Sequence, residues 1–269
     1  MPELLKYLPK APCLIEPFAG GGSVFMNTNY NSYILCDSNP ALINFFNVTK
    51  LYTDELIAAA KGLFTGGNNA DDYYAIRKGF NFLSKWPVLA REKIRLAAAF
   101  LYLNRHCYNG IYRTNTDGKF NVPFNKMKKP YFPEQEIRQF AEKAWQSHAR
   151  FECCDFSDAL DLRIFPELCN AAIYRDPPYI PASDTADFCH YNGKRFTLDD
   201  HATLVLCLTG IHRKTGAHVV ISNSDTPETR EIYAPFTLHS IGVQRSIGAA
   251  SASRKKAREV IGVLEGMPC

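Results

Sequence analysis

The chain has 269 residues, enough for one large domain or two modest ones, and at 46% hydrophobic and 22% charged its composition is that of an ordinary globular protein. That balance excludes collagen-like, coiled-coil and disordered classes. No run approaches the roughly 18 consecutive apolar residues of a membrane span, and the opening MPELLKYLPK lacks the apolar core of a signal peptide, so a cytoplasmic protein is expected. The net charge of +4 does not by itself demand a nucleic-acid partner.

Cys13-Leu14-Ile15 is a short apolar run ending at Glu16-Pro17, and Phe18-Ala19-Gly20-Gly21-Gly22-Ser23 leads into Val24-Phe25-Met26. This reads as strand, glycine turn, helix. Tyr33 to Cys36 is a second strand stopping on Asp37, and Asn39-Pro40 opens a helix toward Val48. The middle of the chain differs: Thr53 to Phe64, Ala70 to Leu83 and Val88 to Arg105 carry helical periodicity with no alternating strand. Tyr108 to Phe124 contains the turn dipeptides Asn109-Gly110 and Asp117-Gly118, which predicts a hairpin, and Glu134 to Gln146 is again helical. Strand-like runs resume at Arg150 to Cys154, Ala171 to Tyr174, His218 to Ser222 and Val260 to Val263, with a helix from Leu198 to Arg213 among them. The economical architecture is an α/β fold, a doubly wound Rossmann-like sheet, with an inserted helical and β-hairpin segment. Residues 1–47 and 146–269 would form the sheet domain, and residues 48–145 the insertion.

Charge is unevenly distributed along this plan. From Asn104 to Arg150 nine basic residues face four acidic ones, and from Gln244 to Arg258 there are five basic residues and no acidic ones. Two basic segments on an otherwise acidic body suit phosphate binding, and they also suit a merely solvated face. The nine cysteines include no CxxC pair and the seven histidines no HExxH. All nine are read as reduced and structural, with Cys36, Cys169 and Cys207 in or near apolar runs, and no metal site is expected.

Two motifs carry chemistry. Glycines at 20 to 22 after a strand let backbone approach a ligand closely, and Asp37 at the tip of the next strand is placed to accept from ribose hydroxyls. That pair fits any nucleoside cofactor, a nucleotide-dependent oxidoreductase among them, and also a plain tight turn with a strand-end acid. Because the run is not GxGxxG, a single nucleoside is favoured over a dinucleotide. Asp176-Pro177-Pro178-Tyr179 is more specific, arising by chance in such a chain about once in a thousand sequences. An exocyclic adenine amine is a poor nucleophile with two hydrogens that need acceptors. The Asp176 carboxylate and the Pro177 carbonyl can take them, which localises the nitrogen lone pair toward an incoming methyl group. Proline restricts the Asp176 backbone, and Tyr179 offers a face for stacking a base flipped out of a duplex.

With these motifs in this order, the sequence resembles the Dam-type DNA adenine-N6 methyltransferases of the α class. The likeness lies in Glu16 to Phe25, in Asp176 to Tyr179, and in Leu101 to Gly110 with Phe120 to Phe124, and it extends from about Leu8 to Leu264. It implies an S-adenosylmethionine cofactor held by Glu16, Phe18, Gly20, Gly22, Asp37, Asp155 and Asp176, and transfer to adenine in double-stranded DNA at GATC. Tyr108 and Asn109 match residues that fill the stack and hold the orphaned base, and Arg113 matches the reader of the first guanine. Ile111 and Pro123 match contacts to thymine methyls. Lys128, Lys129, Arg254, Lys255 and Lys256 would sit on phosphates. The resemblance implies a monomer in a bacterial cell or a phage-infected host, without metal or membrane. Family members usually open with a Lys-Trp-Ala-Gly-Gly-Lys-like segment and this chain begins after it, which leaves a DNA-binding protein with weak or no catalysis as the alternative reading.

Overall fold

A computed structural model describes residues 2–66, 68–85, 89–125, 130–180, 190–191, 194–243 and 257–266. The helices are α1 (Pro2–Leu5), α2 (Ser23–Asn27), α3 (Pro40–Leu51), α4 (Thr53–Thr65), α5 (Ala70–Leu83), α6 (Ala90–His106), α7 (Glu134–Gln146), α8 (Phe156–Ala159), α9 (Leu198–Thr215) and α10 (Pro227–Ile232). The strands are β1 (Cys13–Glu16), β2 (Ser32–Asp37), β3 (Arg150–Cys153), β4 (Ala171–Arg175), β5 (His190–Tyr191), β6 (Lys194–Arg195), β7 (His218–Ser224), β8 (Thr237–Val243) and β9 (Ala257–Leu264). Seven of them form one sheet in the order β3-β2-β1-β4-β7-β9-β8. The chain belongs to the Rossmann-like α/β class expected from its alternating elements. It divides into two compact units, Met1–Cys36 with Cys154–Cys269, and Asp37–Cys153.

In the first unit β1 pairs in parallel with β2 on one side and β4 on the other, and β7 continues the parallel run beyond β4. Strand order therefore reverses at β1, and the crevice at the carboxyl ends of β1 and β4 is where such sheets take ligands. The β1 and β4 strands are buried along their whole length, as strands covered on both faces must be. Leu204, Val205, Leu208 and Ile211 of α9 pack on Ile15, Ile173, Val219 and Ile221. Thr197 and Asp200 cap the start of α9 reciprocally, and Gly216 at φ 70° ends it, two residues beyond the expected stop. The β8 strand escaped the sequence reading. It pairs antiparallel with β9, which itself runs antiparallel to β7.

In the second unit Asn39 caps α3 by accepting from the N–H groups of Ala41 and Leu42, with Pro40 in the first turn. Leu96, Phe100 and Leu103, on one stripe of α6, are buried. The expected hairpin is irregular, without a continuous ladder: its arms meet at two antiparallel bridges, Cys107 with Phe124 and Thr114 with Phe120, and the N–H groups of Tyr108 and Asn121 donate to the carbonyls of Pro123 and Arg113. Asn109 and Gly110 take positive φ, and Pro123 has no N–H to donate, which interrupts the pairing, and α5 supplies further partners to the same segment. One correction concerns Cys169, which is exposed rather than packed in an apolar run, while Cys13, Cys36 and Cys107 are buried.

Candidate active site

The glycine turn is built by local backbone needs. Gly20 and Gly22 sit at φ 48° and 69°, a region that side chains with a Cβ rarely enter, and Gly22 is the N-cap of α2. The Ala19 N–H reaches the Cys36 carbonyl at 2.9 Å, tying the turn to β2. A Cβ at Gly20 would meet nothing within 4 Å, so the turn leaves open space above it. Glu16, just before the turn, is 2% exposed, and its Oε1 has no hydrogen-bond partner. Burial, with the Asp176 charge adding to it, pushes its carboxyl up to about 8.

Asp176-Pro177-Pro178-Tyr179 leaves the end of β4, next to β1. The Asp176 carboxylate is exposed, and Ser222 Oγ, from β7, donates to its Oδ1 at 2.8 Å. The Tyr174 hydroxyl lies 3.0 Å from the same serine oxygen. Asn223 fixes the far side of the loop: its Oδ1 accepts the Ile180 N–H at 3.0 Å, and its Nδ2 donates to the Tyr233 hydroxyl at 3.0 Å. Tyr233 in turn lies 3.3 Å from Nδ1 of the buried His201, whose pKa burial pushes down to about 4. Pro177 is buried and Tyr179 half-buried. Burial first, and then the Asp176 charge, raise the Tyr179 hydroxyl well above the ordinary tyrosine range, so it stays a neutral aromatic surface.

Phe18 completes an aromatic cluster with Phe156, at 5.8 Å, and Phe196, edge-on at 5.7 Å. The Arg175 guanidinium lies over the Phe18 ring, 5.3 Å from its centroid. Asp155 is exposed and caps α8, its Oδ1 accepting the Ser157 N–H at 3.0 Å. Asp37 ends β2, is buried, and accepts the Asn39 N–H at 2.9 Å.

Within the second unit Tyr108, Asn109, Ile111, Arg113 and Pro123 are all exposed, on one short segment. Large apolar side chains in solvent are informative when a rigid frame presents them, and here the frame is α5. The Tyr73 hydroxyl donates to the Val122 carbonyl at 2.8 Å, and Asn81 exchanges two bonds with the Phe120 backbone, at 3.0 and 2.8 Å. Phe120 is buried against Phe80 and Tyr112. Asn121 Oδ1 accepts from Arg113 Nε at 2.9 Å, which orients the guanidinium and leaves its two terminal nitrogens for another partner. Asn81→Ala should lower unfolding stability by about 1–3 kcal/mol, because it strands a half-buried N–H and carbonyl. Chemical denaturation measures this, and a loss under about 0.5 kcal/mol would mean that Tyr73 and Arg77 hold the segment without it.

Lys128, Lys129, Arg254, Lys255 and Lys256 lie outside the described residues. Sequence reasoning missed Ser222, Asn223, Tyr233, His201, Phe156 and Phe196. One signal pointed to the first two: the apolar run His218 to Ile221 passes into polar Ser222-Asn223-Ser224 while still inside a strand, and buried polar residues at a strand's carboxyl end need partners.

Comparison with known proteins agrees with this geometry. The family model described as D12 class N6 adenine-specific DNA methyltransferase matches residues 1–247. The chain is 42% identical over 260 residues to a protein of Serratia marcescens named DNA adenine methylase, covering 96% of this chain and 92% of that one. Proteins of the same name from Escherichia coli K12, at 43%, and Vibrio cholerae, at 41%, match the same share of this chain and 88% and 89% of their own. With a reactive-loop carboxylate held by Ser222 and a family match across most of its length, the chain is an adenine-specific DNA methyltransferase and belongs to the D12 class N6 family.

Proposed function

We propose that this enzyme methylates N6 of an adenine flipped out of duplex DNA within GATC, using S-adenosylmethionine. The observation that carries the reading is the Asp176 carboxylate, held by Ser222 Oγ at 2.8 Å at the carboxyl end of the strand beside Glu16. There it can accept one hydrogen of the target amine, and the Pro177 carbonyl can accept the other. With both hydrogens engaged, the nitrogen lone pair is localised for attack on carbon. Tyr179 supplies a neutral face on which the flipped base stacks.

The residues present fit a cationic nucleoside cofactor. A buried Glu16 oxygen lacks a partner, open space lies above Gly20, and two carboxyl groups, Glu16 and Asp176, face the same region. Glu16, Phe18, Gly20, Gly22 and Asp155 would hold it, with Asp37 assigned to the ribose hydroxyls and Asp176 to the reacting end. When bound, S-adenosylmethionine supplies an electrophilic methyl group on sulfur.

Target recognition is assigned to residues 48–145, and the catalytic domain to residues 1–47 and 146–269, acting as a monomer. Tyr108 and Asn109 fill the vacated stack, Ile111 and Pro123 meet thymine methyls, and Lys128, Lys129, Arg254, Lys255 and Lys256 contact phosphates. Arg113 reads guanine O6 and N7 with its two terminal nitrogens, a fork that lysine lacks. Arg113→Ala should cost about 1–3 kcal/mol of discrimination at the first guanine while the other three positions stay selective. Lys128→Ala or Lys129→Ala should weaken binding to all sequences alike and reduce its salt dependence. A methylation-rate panel over single-base variants of GATC, with radiolabelled cofactor at fixed salt, tests both. If Arg113→Ala slows every variant by one common factor, Arg113 does not read sequence.

A further inference from the structure

His201 stands near the start of α9, 1% exposed, and its Nε2 has no hydrogen-bond partner among the described residues. Burial pushes the imidazole down to about 4, so the ring is neutral near pH 7 and carries one N–H. Which nitrogen holds it follows from the chain of buried polar groups that ends on this ring. Asn223 Oδ1 accepts the N–H groups of Ile180 and Ser224, at 3.0 and 2.8 Å, so Nδ2 is the atom that donates to the Tyr233 hydroxyl. That hydroxyl turns its own hydrogen to His201 Nδ1, 3.3 Å away. The ring proton is therefore on Nε2, a buried donor left over when the chain is complete.

The chain meets the reactive loop on either side of Tyr179. Ile180, one residue after it, is tied by its N–H to the wholly buried Asn223. Pro178, one residue before it, presents the carbonyl that acts on the His201 imidazole, favouring a ring proton where burial disfavours it. Proline has no N–H, so its carbonyl is the one backbone group by which the loop can be held there. Hydrogen bonds at reacting sites are often long in the free enzyme and tighten once substrate is in place. The imidazole itself is braced: Phe196 meets it edge-on at 4.7 Å, and Phe196 packs in turn on Phe18 and Phe156.

We propose that His201 is a positioning residue for methyl transfer, its Nε2–H donating to the Pro178 carbonyl as the target adenine seats against Tyr179. The inference rests on the stacking role assigned to Tyr179 above. The loop is then gripped on both sides of the stacking ring, at Ile180 through Asn223 and at Pro178 through His201. A face free to shift by about 1 Å misplaces the amine against the methyl group, which costs on the order of 10²-fold in rate. The grip comes from groups that touch neither base nor cofactor.

Single-turnover methylation of a GATC duplex by the full chain, with radiolabelled S-adenosylmethionine, tests this. His201→Asn keeps an acceptor where Nδ1 stands and places nothing at Nε2, whereas His201→Gln carries an amide N–H out to the Nε2 position. His201→Asn should slow the reaction at least fivefold with duplex affinity within threefold of wild type, and His201→Gln should stay within threefold of the wild-type rate. In a Tyr179→Ala background His201→Asn should cost less than a further twofold, because the face it steadies is gone. Tyr233→Phe removes the hydroxyl that fixes the tautomer and serves the same cycle if His201→Asn does not fold. A loss below fivefold, equal rates for His201→Asn and His201→Gln, or one common factor in both backgrounds overturns the role of His201. The last of these is what a purely structural histidine gives. A Tyr179→Ala rate equal to wild type overturns the stacking reading and this inference with it.

Discussion

Replacing Asp176 with alanine is expected to lower the methyl-transfer rate by about 10³-fold or more while leaving duplex binding close to wild type. The carboxylate is exposed and Ser222 Oγ donates to it, so its removal takes no packing from the core and leaves Ser222 able to turn to the Arg175 carbonyl 3.2 Å away. The loss therefore falls on chemistry and not on folding. Single-turnover methylation of a GATC duplex with radiolabelled cofactor, together with a binding titration of the same duplex, separates the two. A rate within tenfold of wild type would remove Asp176 from the reaction. Ser222→Ala should cost less, since it loosens the carboxylate without removing it.

Glu16→Gln should stabilise the protein at pH 8 and hardly change it at pH 5. In the folded chain the carboxyl is raised to about 8 by burial and by Asp176, whereas in the unfolded chain it titrates near its ordinary value of 4.5. Below pH 4.5 both states hold the proton, and Glu16 contributes nothing to the pH dependence. Between 4.5 and 8 the unfolded chain has released the proton while the folded chain still holds it, so stability falls as pH rises through this window and levels off above it. Glutamine fills the same volume, keeps a carbonyl for the backbone bond from Phe25, and has no proton to lose. The gain of Glu16→Gln over wild type should thus grow by on the order of 3 kcal/mol from pH 5 to pH 8. Denaturant unfolding at the two pH values measures it. A gain that is the same at both would mean that Glu16 ionises normally in the folded protein.

The sequence by itself determined the alternation of elements and the motifs that close them. Helices α5 and α7 run between the residues their periodicity indicates, because cap residues and apolar spacing act within a few residues of chain. The glycine turn and Asp176 to Tyr179 were legible for a related reason: positive φ, proline and a strand-end carboxylate are local properties. Only the tertiary structure decided what surrounds them. Ser222 and Asn223 reach the reactive loop because β7 lies beside β4, although 46 residues separate Ser222 from Asp176. The segment from Tyr108 to Pro123 reads as a hairpin in sequence and its arms do pair, but only the fold adds Tyr73, Arg77 and Asn81 of α5 as partners of its backbone. The unsatisfied Arg175 guanidinium and the raised pKa of Glu16 depend on burial, and burial is a sum over contacts from elements scattered along the chain. No local pattern encodes that sum, whereas turns, caps and strand-end acids are written in neighbouring residues.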